Sequence, residues 1–104
     1  MLQAARTAHS MIKRETRKSL GQDIKLQLAL AKAFEIIGEA ASKVSSETKW
    51  SYSQMQWQTL IGLRNTLIHS YLDIDLDKLW EAANFDLPPL IAQLEEILTA
   101  NPTQ

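Results

Sequence analysis

The sequence predicts an all-α fold, an up-down bundle of four to five helices forming one domain over residues 1–104. Three observations lead there. Apolar residues recur at three- and four-residue steps through most of the chain, which is the period of a helix. No stretch alternates apolar and polar residues over strand length, and there are no internal repeats or low-complexity tracts. Good helix-capping residues, among them Asp23, Ser53, Asp75 and Asp86, stand ahead of or at the joints between the periodic runs.

Composition narrows the class. A chain of 104 residues is long enough for one modest core. With no cysteine there is no disulfide framework and no thiolate metal site, which suits a reducing compartment. No apolar run approaches the ~20 residues needed to span a bilayer, and the N-terminus lacks a secretory pattern, so the default reading is a cytoplasmic protein with no membrane contact. The net charge of −1 does not announce a nucleic-acid binder. Its distribution says more. Residues 1–52 hold nine Lys/Arg against five acids, giving +4, whereas residues 53–104 hold two against seven, giving −5. Such a split favours a partner with the opposite split or self-association that pairs the halves, and it equally describes ordinary solvated helix faces.

Residues 2–18 read as a first, weakly amphipathic helix carrying Leu2, Ala5, Ala8, Met11 and Ile12 on one side. Its basic end, Lys13-Arg-Glu-Thr-Arg-Lys18, suits a helix C-terminus and is more often a wet helix end than a phosphate contact. Ser19–Gln22 reads as a loop, and Asp23 as the N-cap of a long helix over 24–44. There Leu26, Leu30, Phe34, Ile37, Ala41 and Val44 make one stripe, widened by Ala29, Ala33, Ile36 and Ala40. A helix apolar over most of its circumference is buried among several neighbours or lies at an interface. Gly38 inside it costs about 1 kcal/mol relative to alanine, which close approach of another backbone would explain. Glu35 and Glu39 are one turn apart; paired acid–base carboxylates are one reading, structural roles the better-supported one, with Glu39 placed to hold an arginine or to cap groups near the motif.

Residues 45–52 read as a polar connection, with Ser53 and Gln56 as a capping box for a third helix over 54–70. Asp73 or Asp75 starts a fourth, with Leu76, Leu79, Trp80 and Ala83 facing the core. Pro88-Pro89 must break or kink it, and Asp86 can cap the continuation through Leu98. Residues 101–104 read as a frayed tail.

The chemistry concentrates in Arg64-Asn-Thr-Leu-Ile-His-Ser-Tyr71. On a continuous helix Leu60, Ile61, Leu67, Ile68 and Tyr71 share one broad face with Arg64 in its middle, where burying an unpaired guanidinium would be costly. Asn65 and His69, four apart, would stack. Arg64 and His69, five apart, sit about 140° around the axis and converge only if the helix end unwinds, the arginine reaches round, or a second copy supplies a partner. Histidine titrates near neutrality and serves as acid or base; arginine offers a planar, permanent charge matched to phosphate oxygens. That pairing suits RNA cleavage without a metal, and no His/Asp/Glu cluster has metal-ligand spacing. A structural pair at a helix end is the competing reading. His9, the other histidine, reads as a surface residue.

Arg64-Asn65-x-x-x-His69-x-Tyr71, with Glu35-Ile-Ile-Gly-Glu-Ala-Ala41, Trp57–Gly62 and Asp86-Leu-Pro-Pro-Leu90 in order, resembles the HepT toxins, a branch of the HEPN superfamily, over nearly the whole chain. The resemblance implies a HEPN-like homodimer with a composite site in which each chain gives Arg64 and His69, supported by Asn65 and Glu39. It implies the toxin of a type VII toxin–antitoxin module, a metal-independent ribonuclease acting on tRNA or mRNA without a cofactor. It also implies a cognate MntA-like minimal nucleotidyltransferase that transfers AMP to Tyr71 and silences the toxin. In place of the proline-containing approach of relatives, this chain has Ser51-Tyr-Ser-Gln-Met-Gln-Trp57. The alternative is a non-catalytic helical subunit that binds and supports a nucleotidyltransferase.

Overall fold

The computed structural model describes residues 1–70 and 73–100, without the side chains of residues 69, 70 and 100. In chain order its helices are α1 (Leu2–Met11), α2 (Arg17–Gln22), α3 (Ile24–Lys43), α4 (Ser46–Ser51), α5 (Trp57–Ile61), α6 (Leu63–Leu67), α7 (Leu76–Glu81) and α8 (Leu87–Ala100). A two-stranded antiparallel pair, β1 (Ile68–Ser70) and β2 (Asp73–Ile74), lies between α6 and α7. Because α5–α6 and α7–α8 are kinked units, the architecture is the all-α bundle expected, with four long elements and two short helices.

Central to it is α3, which packs against α1, α2, α5, α6 and α7. Asp23 caps it as expected, its Oδ1 accepting from the Leu26 N–H at 3.0 Å. Leu30, Phe34, Ile37 and Ala41 are buried, and with Leu20, Leu67, Leu79 and Leu87 from four other helices they form the core. Gln27, the buried polar residue on this helix, donates from Nε2 to the Leu20 carbonyl at 2.9 Å. Not all of the predicted stripe is covered: Ile36 is exposed, as are Ile24 and Leu28. The close approach that Gly38 suggested is real. A Cβ on Gly38 would lie 3.0 Å from the Leu60 carbonyl oxygen and 3.4 Å from that of Ile61, so α5 crosses α3 where only hydrogen fits.

Several boundaries differ from those the sequence suggested, each for a local reason. The single helix over 2–18 is two helices, and Ser19–Gln22 is helical rather than a loop. Thr16 restarts the chain through a reciprocal capping box: its Oγ1 accepts from the Ser19 N–H at 3.0 Å, and the Ser19 Oγ accepts from the Thr16 N–H at 2.8 Å. The polar connection over 45–52 contains α4, capped by the Ser45 Oγ accepting from the Thr48 N–H at 3.1 Å. The expected capping box at Ser53 and Gln56 does not form, because Gln56 itself is the residue before α5 and makes no side-chain cap bond.

Most consequential, the helix expected over 54–70 kinks at Gly62 and ends at Leu67. Ile68 turns extended, with φ −119° and ψ 104°, and its N–H closes the helix on the Arg64 carbonyl. The chain then pairs with its own continuation, Ile68 opposite Ile74 and Ser70 opposite Asp73, and the Asp75 N–H donates to the Leu67 carbonyl at 2.8 Å. Strands of three and two residues are too short to show as alternation in a sequence.

Asp75 caps α7 as expected, Oδ1 accepting from the Lys78 N–H at 3.1 Å. Pro88-Pro89 does not break the chain, and Asp86 caps nothing. Residues Ala82–Asp86 instead form one π-helical turn that runs into α8. Two consecutive prolines supply no N–H to the carbonyls of Asn84 and Phe85. The widened turn absorbs this: the Leu87 N–H reaches back to the Ala82 carbonyl, and the Asn84 Nδ2 donates to the Trp80 carbonyl at 2.9 Å. The tail over 101–104 lies outside the described residues.

Candidate functional site

Three buried leucines set the orientation of α5–α6. Leu60, Leu63 and Leu67, at three- and four-residue spacing, point into the core. Arg64 is one residue off that stripe and is therefore exposed, not sunk in an apolar face as a continuous helix starting at Trp57 would have it. Its side chain is 57% exposed, so the charge carries little desolvation cost.

The crossing at Gly38 determines what Arg64 faces. Because α5–α6 runs antiparallel to α3, moving on from Leu60 and Ile61 to Arg64 means moving back from Gly38 to Glu35. Arg64 Nε lies 4.0 Å from Glu35 Oε1, and Lys32 Nζ lies 3.9 Å from the same oxygen. Glu35 is thus the acid beside the arginine, and Glu39, expected in that role, is an exposed residue one turn further on. At these separations and exposures the pairs are worth at most ~1 kcal/mol, so Glu35 positions Arg64 without locking it. A phosphate offering two oxygens to the guanidinium fork would outcompete it.

Asn65 is exposed on α6. The i, i+4 stacking expected of Asn65 and His69 does not apply, because the helix that would produce it ends at Leu67. The same ending removes the 140° separation that a continuous helix imposes on Arg64 and His69: His69 follows on extended backbone, the first of the three routes by which the two could converge. Its side chain and Tyr71 lie outside the described residues. His9 is half-buried on α1, not a free surface residue. Among the described residues no group of three His, Cys, Asp or Glu side chains could hold a metal ion.

A separate cleft runs along the other side of α5–α6, between it and the π turn, lined by Thr59, Leu63, Asp86, Leu87, Leu90 and Gln93. Neither Arg64 nor Asn65 lines it. Asp86 is the charged residue lining it, the wrong sign for a phosphate. No helix among the described residues is long and apolar enough to cross a membrane.

Comparison with known proteins agrees with the motif. Residues 1–97 match the family model described as "Ribonuclease HepT-like". The "Probable ribonuclease HepT" of Thermococcus cleftensis is 33% identical over 75 residues, covering 72% of this chain and 68% of that protein. Relatives with provisional RNase names in Methanocaldococcus jannaschii and Caldanaerobacter subterraneus subsp. tengcongensis are each 34% identical, over 67% and 74% of this chain and 64% and 69% of their own lengths. No solved structure is a significant match. Motif, fold and relatives coincide: the chain belongs to the HepT-like ribonuclease family of the HEPN superfamily.

Proposed function

We propose that this chain is the ribonuclease toxin of a type VII toxin–antitoxin pair, an RNA endonuclease that needs no metal. The observation carrying the proposal is the exposed Arg64 guanidinium, one turn before a helix end from which His69 follows on extended backbone. RNA cleavage of this kind begins when a base removes the 2′-hydroxyl proton, so that the 2′-oxygen attacks the adjacent phosphorus. The bond to the 5′-oxygen then breaks as an acid protonates that oxygen. Imidazole can serve in either role, and guanidinium steadies the charge building on the phosphoryl oxygens.

One imidazole cannot be base and acid at the same moment, which favours a two-fold homodimer bringing two His69 and two Arg64 side chains to one phosphate. The exposed Ile24, Leu28 and Ile36 lie on α3, the helix beside Arg64, and give such a dimer an apolar surface to bury. Asn65, exposed on the same turn as Arg64, would add a donor to the phosphate or fix the imidazole. Antitoxin-free protein should cleave tRNA or mRNA, and a His69→Ala protein should not; equal rates would remove the assignment.

Regulation would act at Tyr71. A minimal nucleotidyltransferase partner would join the tyrosine oxygen to the α-phosphorus of ATP, releasing pyrophosphate and moving the hydroxyl proton to solvent. The attached phosphate, two residues from His69, would occupy the substrate's place and repel RNA. A Tyr71→Phe protein should keep its ribonuclease activity, gain no nucleotide mass when incubated with partner and ATP, and stay toxic when the two are co-expressed. A phenylalanine variant that is still modified or neutralised would refute this route of control.

A further inference from the structure

We infer that Lys32 holds the RNA phosphate next to the one at Arg64, so that the site grips two successive phosphates of the strand. The inference rests on the ribonuclease reading and adds a second phosphate subsite to it.

Lys32 is placed relative to Arg64 by a shared neighbour. Lys32 Nζ lies 3.9 Å and Arg64 Nε 4.0 Å from the same carboxylate oxygen, Glu35 Oε1. The two cationic nitrogens are therefore at most about 8 Å apart, one screening length at physiological salt, so an anion at either feels both. They come from different elements, α3 and α6, brought level by the crossing at Gly38. Neither separation is a hydrogen bond. As a surface pair on one helix, Lys32 and Glu35 contribute little to stability, and one carboxylate cannot neutralise two cations. The side chains of Lys32 and Arg64 are 65% and 57% exposed, against 29% for Glu35, so both cations are more accessible than the acid between them.

Charge selects the occupant. The exposed face of α3 carries Lys25, Lys32 and Lys43, whose spacing keeps them on one side of the helix. The acids on that side are Glu35 and Glu39, so that with Arg64 four positive charges stand against two negative, in a chain whose net charge is −1. A locally positive face on a chain of opposite net sign suits a polyanion. Glu35 also decides how the strand is held. A single phosphate entering the gap between the two nitrogens meets the carboxylate, whereas successive phosphates can each take one cation from the solvent side. Leu28 and Ile36, both exposed, lie one turn before and one turn after Lys32. A dimer closed by those apolar residues sets Lys32 at the edge of the shared cleft.

The test uses the full chain carrying His69→Ala, so that bound RNA stays intact, and a labelled RNA of about twelve nucleotides. Adding Lys32→Ala should weaken binding about 3- to 10-fold and lower the slope of log affinity against log salt by about 0.7, the share of one phosphate on a single strand. Lys32→Arg, which keeps the charge, should keep the slope. Lys18→Ala removes an equal charge from an exposed position on α2 and should leave the slope as it was. In protein that retains His69, Lys32→Ala should raise KM more than it lowers kcat, because the phosphate it holds is not the one that reacts. In an RNA whose cleaved linkage is mapped, an uncharged methylphosphonate at one of the two adjacent linkages should weaken binding, and Lys32→Ala should add nothing to that loss. An unchanged slope in folded Lys32→Ala protein, an equal fall in Lys18→Ala, or additive losses at both adjacent linkages would overturn the proposal. So would a Lys32→Ala protein that sediments as a smaller species, because the lysine would then serve the contact between protomers. Loss of the ribonuclease reading would show separately, as absence of His69-dependent cleavage, which the salt slope does not require.

Discussion

His69→Ala is expected to lower the rate of RNA cleavage by about 10²–10⁴-fold, the usual contribution of a positioned acid or base. Arg64→Ala should cost about 10²–10³-fold, since it removes the charge aimed at the phosphoryl oxygens. Arg64→Lys should recover little of that loss, because an ammonium is a point charge without the planar fork. Neither change should unfold the protein: Arg64 is exposed, and its ion pair with Glu35 is weak. The measurement is the single-turnover cleavage rate of antitoxin-free protein on a defined RNA, with thermal unfolding followed in parallel. Losses should be far from additive in the Arg64/His69 double variant, as is general for groups acting in one step. A shared two-fold site makes a further demand. Mixing wild-type with His69→Ala protomers should depress activity below the wild-type share of the mixture, because a mixed dimer keeps only one of the two imidazoles the step uses. Two separate single-chain sites would lose activity only in proportion.

Why Arg64 was misplaced from the sequence, and Gly38 was not, shows what a sequence makes legible. The caps at Asp23 and Asp75 and the buried stripe of α3 depend on residues within one turn of each other, and all were readable. Arg64 looked central to an apolar face because the face was drawn on a single unbroken helix without Leu63. Adding Leu63 to Leu60 and Leu67 gives the stripe that is actually buried. The helix end at Ile68 depends on pairing with residues 73–74 across a turn, an interaction no helical period announces. Glu39 was preferred to Glu35 for want of a register: the sequence suggests that a backbone approaches Gly38 but not that it is the backbone of Leu60 and Ile61. A glycine contact at Gly38 and an antiparallel neighbour together put the arginine level with Glu35. The α4 helix owes its existence to Ser45 and buries nothing, so hydrophobic periodicity could not report it.

Gly38→Ala should destabilise the protein by about 1–2 kcal/mol, although in an unconstrained helix the same change would stabilise it by about 1 kcal/mol. The sign is decided by the crossing. The new methyl carbon would sit 3.0 Å from the Leu60 carbonyl oxygen, a backbone atom that cannot rotate away as a side-chain tip could. Relieving the contact means moving α5 off α3, and overpacking of this kind typically costs 1–3 kcal/mol. Gly38→Val should cost more, as its second branch meets the Ile61 carbonyl, which is 3.4 Å from the Cβ position itself. Urea unfolding checks the stability, with a gain on alanine substitution as the result that would refute the close-packed crossing. Activity supplies an independent reading, because α5 continues through Gly62 into α6 and carries Arg64 with it. A displacement at Leu60 should shift Arg64 relative to Glu35 and to the extended turn holding His69. RNA cleavage under conditions where the variant is fully folded should therefore fall, whereas an equally destabilising change away from this crossing, such as Ala8→Gly on α1, should leave the folded-state rate unaltered.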